Sequence, residues 1–138
     1  MTIYLLDTNI ISDLVHRPRG VAAAAIARAG EENIFTSIVV ACELRYGAAK
    51  RGSRALSERV ALVLSLIKIR PLEPPADEVY GRNRSQLEHA GRLIGPNDLL
   101  IAAQALTLDA TLVADNEREF SRVKGLRIAN WLRPKRGA

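Results

Sequence analysis

The stretch IYLLDTNIISDL, residues 3–14, decides how this chain folds because a strand pattern and a helix pattern meet in it at one carboxylate. Residues 3–6 are a short apolar run of the kind that forms a buried strand. Asp7 ends that run, and the apolar segment after it predicts a helix that breaks near Pro18. An isolated charge at the edge of a core is costly unless something pairs with it. Asp7 is therefore expected to have partners elsewhere in the chain.

Strand and helix patterns alternate along the rest of the sequence. Short apolar runs predict strands over residues 3–6, 33–37, 68–72, 111–114 and 126–129. In the helical pattern over 56–67 the apolar residues fall three and four apart, so they share one face. Val79, Leu87 and Ala90 are expected on the inner side of a later helix. The helix that Pro96 or Asn97 opens is apolar nearly all round and is therefore expected at the centre.

This alternation implies parallel strands joined by right-handed crossovers. The predicted fold is α/β: a three-layer α/β/α sandwich with a mainly parallel central sheet. A chain of 138 residues that is 48% hydrophobic can bury one such core. We expect one domain over residues 1–132 and a basic C-terminal tail over residues 133–138.

Composition narrows the class of protein further. The chain has a single cysteine, Cys42, which excludes an intramolecular disulfide. Cys42 lies in an apolar helix and is expected in the core of the protein. No signal-peptide pattern is visible, and no apolar run approaches the roughly 18 residues of a membrane span. The cytoplasm is the expected compartment. The net charge of +5 is a weak indication of an anionic partner.

Four acidic residues are predicted to meet at one edge of the sheet. In parallel α/β sheets, ligands bind outside the carboxyl ends of the strands, where the strand order switches. Asp7 and Asp115 each directly follow a strand. Glu43 lies early in the helix after the second strand, and Asp98 lies in the first turn of the central helix.

Each acid also has a purely structural explanation. Asp7 could cap the helix that follows it, and Asp98 could complement the positive end of its own helix. Asp115 with Asn116 could form a turn, and Glu43 could lie on a solvated face. Only their convergence favours a site.

Four carboxylates crowded together would raise one another's pKa values unless a cation were present. Oxygen ligands without Cys or His favour Mg²⁺ or Mn²⁺ over Zn²⁺. The two histidines, His16 and His89, are expected on the surface, and Asp13 is expected on an exposed helix face. The sequence therefore predicts a divalent-metal site and no acid–base role for histidine.

The remainder of the chain is strongly basic. With the four acids set aside, 11 acidic residues face 20 basic ones. An acidic site within a basic surface suits metal-assisted hydrolysis of a polyanion. The candidate phosphate-binding residues, any of which could equally belong to an ordinary solvated face, are Arg45, Lys50, Arg51, Arg54, Arg59, Arg82, Arg84 and Arg92.

Four segments resemble, in order and spacing, the PIN-domain ribonuclease toxins of the VapC type. They are LLDTNIISDL, SIVVACELRYGA, GPNDLLIAAQAL and LVADNEREFSRVKGLRIANW, and the likeness covers residues 3–131. The resemblance implies an Mg²⁺- or Mn²⁺-dependent endoribonuclease with tRNA as the first substrate class. It also implies a VapB-type antitoxin that holds the enzyme inactive, and a homodimer.

The resemblance assigns roles to individual residues. Asp7, Glu43 and Asp98 fall on the family's acidic metal-site positions. At the fourth position the family often has Thr, any residue, then Asn or Asp, whereas this chain has Ala114 in place of the Thr. Asp115 and Asn116 both qualify as the fourth residue, and Asp115 is included among the expected metal ligands.

Two other classes of protein remain open on the sequence. Acids at strand ends also occur in aspartate phosphoacceptor and phosphatase domains, although such phosphatases need a second Asp where this chain has Asn9. The other class is a noncatalytic nucleic-acid-binding module whose carboxylates merely cap helices. Metal-dependent RNA cleavage separates the nuclease from the noncatalytic module, whereas the phosphoacceptor and phosphatase alternatives predict an acid-labile phosphoryl group on Asp7.

Overall fold

A five-stranded parallel sheet forms the centre of the protein in the computed structural model, which describes residues 1–133. The strands are β1 (Tyr4–Leu6), β2 (Ile34–Ser37), β3 (Ile69–Arg70), β4 (Thr111–Val113) and β5 (Ile128–Ala129). Their order in the sheet is β3-β2-β1-β4-β5, and every neighbouring pair is parallel.

Helices flank this sheet and connect its strands. They are α1 (Thr8–His16), α2 (Val21–Ala29), α3 (Ile38–Arg51), α4 (Arg54–Ser65), α5 (Ala76–His89), α6 (Pro96–Thr107) and α7 (Glu117–Phe120), with a 3-10 turn over Glu31–Asn33. The predicted α/β/α sandwich is confirmed. The predicted basic tail lies outside the described residues except for Arg133, so the division at residue 132 stays a prediction.

Local sequence signals set the helix ends that position the site. The Ser37 hydroxyl accepts a hydrogen bond from the backbone N–H of Val39 at 3.0 Å, so α3 starts directly after β2. Pro96 occupies the start of α6, where its missing N–H costs nothing. Gly91 ends the α5 segment with φ +66°, and the next N–H, that of Arg92, donates back to the carbonyl of Leu87 at 2.8 Å.

The core lies around β1, β4 and α6. Leu5, Leu6 and Leu112 are fully buried in the two strands. In α6, every residue from Ile101 to Ala105 is buried, which confirms the prediction of a central helix. Gln104 is part of that buried run, and its side-chain amide donates to the carbonyls of Arg70 and Pro71 beside the end of β3.

Three sequence predictions about burial are wrong. Asp13 is only 8% exposed because α1 packs against α2, α3 and α4, and Arg17 supplies the cation that its carboxylate needs, at 2.9 Å. Cys42 is exposed, because α3 turns Val40 and Leu44 inward. Ala90 is exposed because α5 ends at His89, before the turn that Ala90 was expected to pack.

The topology places the switch in strand order beside β1. The chain leaves β1 towards β2 and β3, and it later returns to the other side of β1 as β4. The backbone N–H of Asp7 donates to the carbonyl of Val113 at 2.9 Å, so Asp7 lies at the carboxyl ends of both β1 and β4. Within residues 1–133, no helix has the length and apolar character needed to cross a membrane.

Candidate active site

Asp7 is the buried centre of the candidate site. Its side chain is 5% exposed, and among residues 1–133 its Oδ1 has no hydrogen-bond partner. Asp7 occupies the N-cap position of α1 but makes no side-chain capping bond, so the capping explanation fails. Burial raises the pKa of Asp7 to about 7, against the effect of the Thr8 N–H, and the charges of Asp98 and Glu43 raise it further.

Asp98 lies in the first turn of α6 and is half-buried. A helix N-terminus alone would favour the ionised carboxylate. The pKa of Asp98 is nevertheless raised to about 6, first by burial and then by the charges of Glu43 and Glu119. Burial and neighbouring acids therefore outweigh the helix end, and the explanation of Asp98 as a mere complement to the helix dipole is insufficient.

Glu43 links the two aspartates. It is half-buried in α3, and its Oε1 accepts a hydrogen bond from the Thr8 hydroxyl at 3.1 Å, which joins α3 to the first turn of α1. Its charge acts on both Asp7 and Asp98. Three of the four acids predicted from the sequence thus lie within electrostatic reach of one another, on three different elements.

The arrangement suits a hard divalent cation in chemistry, although the side chains do not form a closed set of ligands. In the part of the chain that the structure describes, no three Asp, Glu, His or Cys side chains lie close enough together to hold an ion. The atoms that could bind a metal here are carboxylate oxygens. One of them, Asp7 Oδ1, is buried and accepts no hydrogen bond from the described residues. Such oxygens are the ligands that Mg²⁺ and Mn²⁺ prefer.

The two candidates for the fourth position follow β4 at the same sheet edge. Asp115 Oδ1 accepts hydrogen bonds from Asn130 Nδ2 at 3.1 Å and from Arg133 Nε at 3.0 Å. These two partners lower the pKa of Asp115, whereas the pKa values of Asp7 and Asp98 are raised. Asn116 is half-buried at the start of α7 and makes no side-chain capping bond. The Asp115 carboxylate is therefore already paired, through Asn130 and Arg133, with the C-terminal segment.

Glu119 is a further acidic residue near the site, and it was not predicted from the sequence. It lies in α7, and its charge raises the pKa of Asp98. The available signal was its place just after β4, at the edge where Asp7 and Asp115 were already expected. A four-residue helix has too little periodicity to show which of its side chains faces inward, so that signal was not decisive.

Both histidines lie on the surface, as predicted. His16 and His89 are exposed, and each Nδ1 lies within hydrogen-bonding distance of the carbonyl four residues earlier, at 2.9 Å and 2.7 Å. Within residues 1–133, neither histidine forms a salt bridge with an acidic side chain, although His16 lines the groove that begins at Glu43.

A groove between α1, α3 and α4 begins at the site, and we call it the α1–α3 groove. Its volume is about 230 Å³, and Thr8 and Glu43 form one end of it. The apolar side chains of Val15, Leu44 and Val60 line its length.

Comparison with known proteins identifies relatives along nearly the whole chain. Residues 4–126 match the PIN domain family. Ribonuclease VapC2 of Rickettsia felis is 35% identical over 131 residues, which cover 94% of this chain and 98% of that protein. The tRNA(fMet)-specific endonuclease VapC of Shigella flexneri is 34% identical over 132 residues, with 93% and 97% covered. A chain in the crystal structure of VapBC2 from Rickettsia felis bound to a promoter DNA fragment superposes with a TM-score of 0.86 at 33% identity, over 94% of this chain and 99% of that one.

A parallel sheet with carboxylates over its switch point, matched across residues 4–126, defines the class as PIN-domain proteins. The two VapC relatives are each more than 30% identical to this chain, over more than nine-tenths of this chain and of the relative, which narrows the assignment within that family. The chain belongs to the VapC ribonucleases within that family. This membership decides against the aspartate phosphoacceptor and phosphatase classes.

Proposed function

We propose that this chain is the toxin of a toxin–antitoxin pair and acts as an Mg²⁺- or Mn²⁺-dependent endoribonuclease on tRNA. The observation that carries the proposal is the buried Asp7 carboxylate at the switch point, with an unsatisfied oxygen and a pKa raised to about 7 beside two further acids. A protein does not keep such a group for stability, because an ionised carboxylate without a partner is costly in a core. A bound cation would compensate for it.

The residues proposed to hold the ion are Asp7 and Asp98, directly or through water. Glu43, kept in place by Thr8, orients a water molecule, and the fourth position, Asp115 or Asn116, completes the set. An ion bound there would polarise the phosphodiester and activate water for attack. The raised pKa values mean that Asp7 and Asp98 carry protons at mildly acidic pH, so they must release them before they can act as ligands.

The proposal that the substrate is RNA, and specifically tRNA, depends on the relatives. Metal-assisted hydrolysis does not require the ribose 2′-hydroxyl, so the chemistry of the site alone does not distinguish RNA from DNA. Relatives at similar identity carry the names ribonuclease VapC and tRNA(fMet)-specific endonuclease VapC. An RNA substrate in turn agrees with the cytoplasm as the expected compartment.

The proposed protein partner is a VapB-type antitoxin, since the solved relatives are VapBC complexes. The α1–α3 groove has the chemistry to receive an apolar segment of such a partner. A basic side chain at one end of that segment could then pair with Glu43 and Asp98. We also propose that the toxin is a homodimer, as the resemblance implies.

The test is a pair of matched substitutions, Asp98→Asn and Asp77→Asn. Both remove an aspartate from the first turn of a helix, but Asp77 is exposed in α5 and outside the site. Asp98→Asn is expected to abolish Mg²⁺-dependent tRNA cleavage and growth inhibition while the circular dichroism spectrum stays unchanged. Asp77→Asn is expected to cleave like the wild type. Undiminished cleavage by Asp98→Asn would exclude the proposed mechanism.

A further inference from the structure

A second cavity lies between the end of α5 and the segment that follows α7, and we call it the basic groove. It has a volume of about 410 Å³, and its cationic residues are Arg92, Arg122 and Lys124. Of these three, only Arg92 is among the phosphate-binding residues predicted from the sequence. The fold brings residues about thirty positions apart to the two sides of one groove.

The charge of the basic groove is unbalanced. Among residues 1–133, no carboxylate lines it. In the described part of the chain, none of Arg92, Arg122 and Lys124 has a carboxylate oxygen within 4.0 Å. Nearby on α5, Arg84 is by contrast paired with Glu88 at 3.2 Å. Three cations that face one cavity without acids make a favourable environment for an anion.

Buried residues fix the shape of this groove. Leu87 and Val123 belong to the core, at 6% and 3% exposure, and they form its base. The guanidinium of Arg122 donates to the carbonyl of Leu93 at 3.4 Å, which connects one side of the groove to the other. Asn83 also lines the groove, and its Nδ2 has no acceptor among residues 1–133. The groove is thus a formed cavity, and one of the residues that line it carries a buried amide nitrogen without an acceptor.

Each side of the basic groove adjoins, along the chain, a segment that carries an acid of the candidate active site. On one side, the loop over residues 91–95 runs directly into α6, whose first turn carries Asp98. On the other side, α7 carries Glu119, whose charge acts on Asp98, and the groove begins with the residue after α7, Ser121. A polyanion bound in the groove would therefore lie beside the two chain segments that carry Asp98 and Glu119.

We propose that the basic groove binds backbone phosphates of the RNA strand beside the bond that is cut. This inference rests on the proposed function in one respect, namely that the polyanion is the RNA substrate. Phosphate oxygens would accept hydrogen bonds from Arg92 and Lys124, as positioning contacts that read no base. Inorganic phosphate shares this chemistry, and the experiment separates the two sources.

The experiment measures RNA binding in an Asp98→Asn background, where the strand is not cut. The groove variant adds Arg92→Gln and Lys124→Gln, both at exposed positions. The matched control adds Arg19→Gln and Arg28→Gln, which remove the same charge from exposed positions beside and in α2. Binding of a fluorescent single-stranded RNA is followed by anisotropy over a range of NaCl concentrations.

The expected result is a weaker salt dependence for the groove variant. Each phosphate contact contributes about 0.7 to the slope of log K against log salt for single strands, so the loss of two contacts lowers the slope by about 1.4. The background protein should therefore lose about sevenfold more affinity than the groove variant between about 50 and 200 mM salt. The control should keep the original slope. Equal slopes for the groove variant and the control would overturn the proposal.

Two further arms make the outcome unambiguous. Binding of inorganic phosphate to the Asp98→Asn protein is measured by calorimetry, with and without the groove substitutions. Phosphate binding that the groove substitutions abolish, while they leave the RNA affinity and its salt slope unchanged, would indicate a small-anion site and overturn the proposal. With Asp98 restored, the groove substitutions should raise KM for RNA and leave kcat unchanged. If the wild type cuts no RNA, the proposed function fails, but the binding slopes still decide the role of the groove.

Discussion

Relative to the wild type, the metal-free Asp7→Asn variant should become increasingly stable as the pH rises. The pKa of Asp7 is raised from 3.8 to about 7, chiefly because the side chain is buried. Between these two values the native protein holds a proton that the unfolded chain has already released. The free energy of unfolding of the wild type therefore falls as the pH rises through this window, and the loss is complete above about pH 7.

The size of the effect follows from the shift. Each pKa unit is worth about 1.4 kcal/mol, so the wild type should lose on the order of 4 kcal/mol between pH 4 and pH 8 relative to Asp7→Asn. For a chain of this size, that corresponds to a difference in Tm of about 15 °C. The asparagine amide adds its own cost in the buried site, but that cost does not change with pH. The diagnostic quantity is therefore the difference between the two pH profiles.

The assay is urea unfolding in EDTA across this pH range for the wild type and Asp7→Asn. Glu73→Gln serves as the control because Glu73 is an exposed carboxylate in the loop before α5, outside the site. Adding Mg²⁺ above pH 7 should restore stability to the wild type and have little effect on Asp7→Asn, since only the carboxylate is a strong ligand. Parallel pH profiles for the wild type and Asp7→Asn would refute the reasoning, because Asp7 would then ionise in the folded protein without cost.

Two further predictions concern the residues around the aspartates. Thr8→Val removes the 3.1 Å hydrogen bond to Glu43 and should lower the rate of RNA cleavage about tenfold. Thr8→Ser keeps the hydroxyl and should cleave at nearly the wild-type rate. Equal rates for the two variants would show that the bond does not position Glu43. Glu119→Gln should change the Mg²⁺ concentration for half-maximal cleavage more than Asp115→Asn does. The reason is that the charge of Glu119 raises the pKa of Asp98, whereas Asp115 is paired with Arg133. The opposite order in a metal titration would favour Asp115 as a ligand.

The fold was largely predictable because its signals are local. Each strand is a short apolar run, and each strand end is marked by a change in pattern, so the parallel sheet and the central helix α6 followed from the sequence. The positions of Asp7 and Asp98 followed from the same logic, since a residue that directly ends a strand or opens a buried helix has little freedom of placement. The prediction that Glu43 belongs to the site was weaker from the sequence pattern alone, and the resemblance to the VapC toxins supported it.

The remaining features depend on which elements pack together, and a sequence pattern does not specify this. Asp13 looked exposed because it is charged, yet three helices surround α1 and Arg17 balances the charge. Cys42 looked buried because its neighbours are apolar, but only part of the α3 surface faces inward. The pairing of Asp115 with Arg133 joins residues from two separate segments, which no local spacing reveals.

The hydrogen bond between Thr8 and Glu43 suggests how an inhibitor could act without touching either aspartate. The bond measures 3.1 Å and lies where the α1–α3 groove meets the acids. Such a bond is lost once its atoms separate by less than about 1 Å more. A side chain wedged between the two helices would release Glu43 by that small displacement. Silencing of the enzyme and its recovery could then be as rapid as a rotamer change, with the fold untouched throughout.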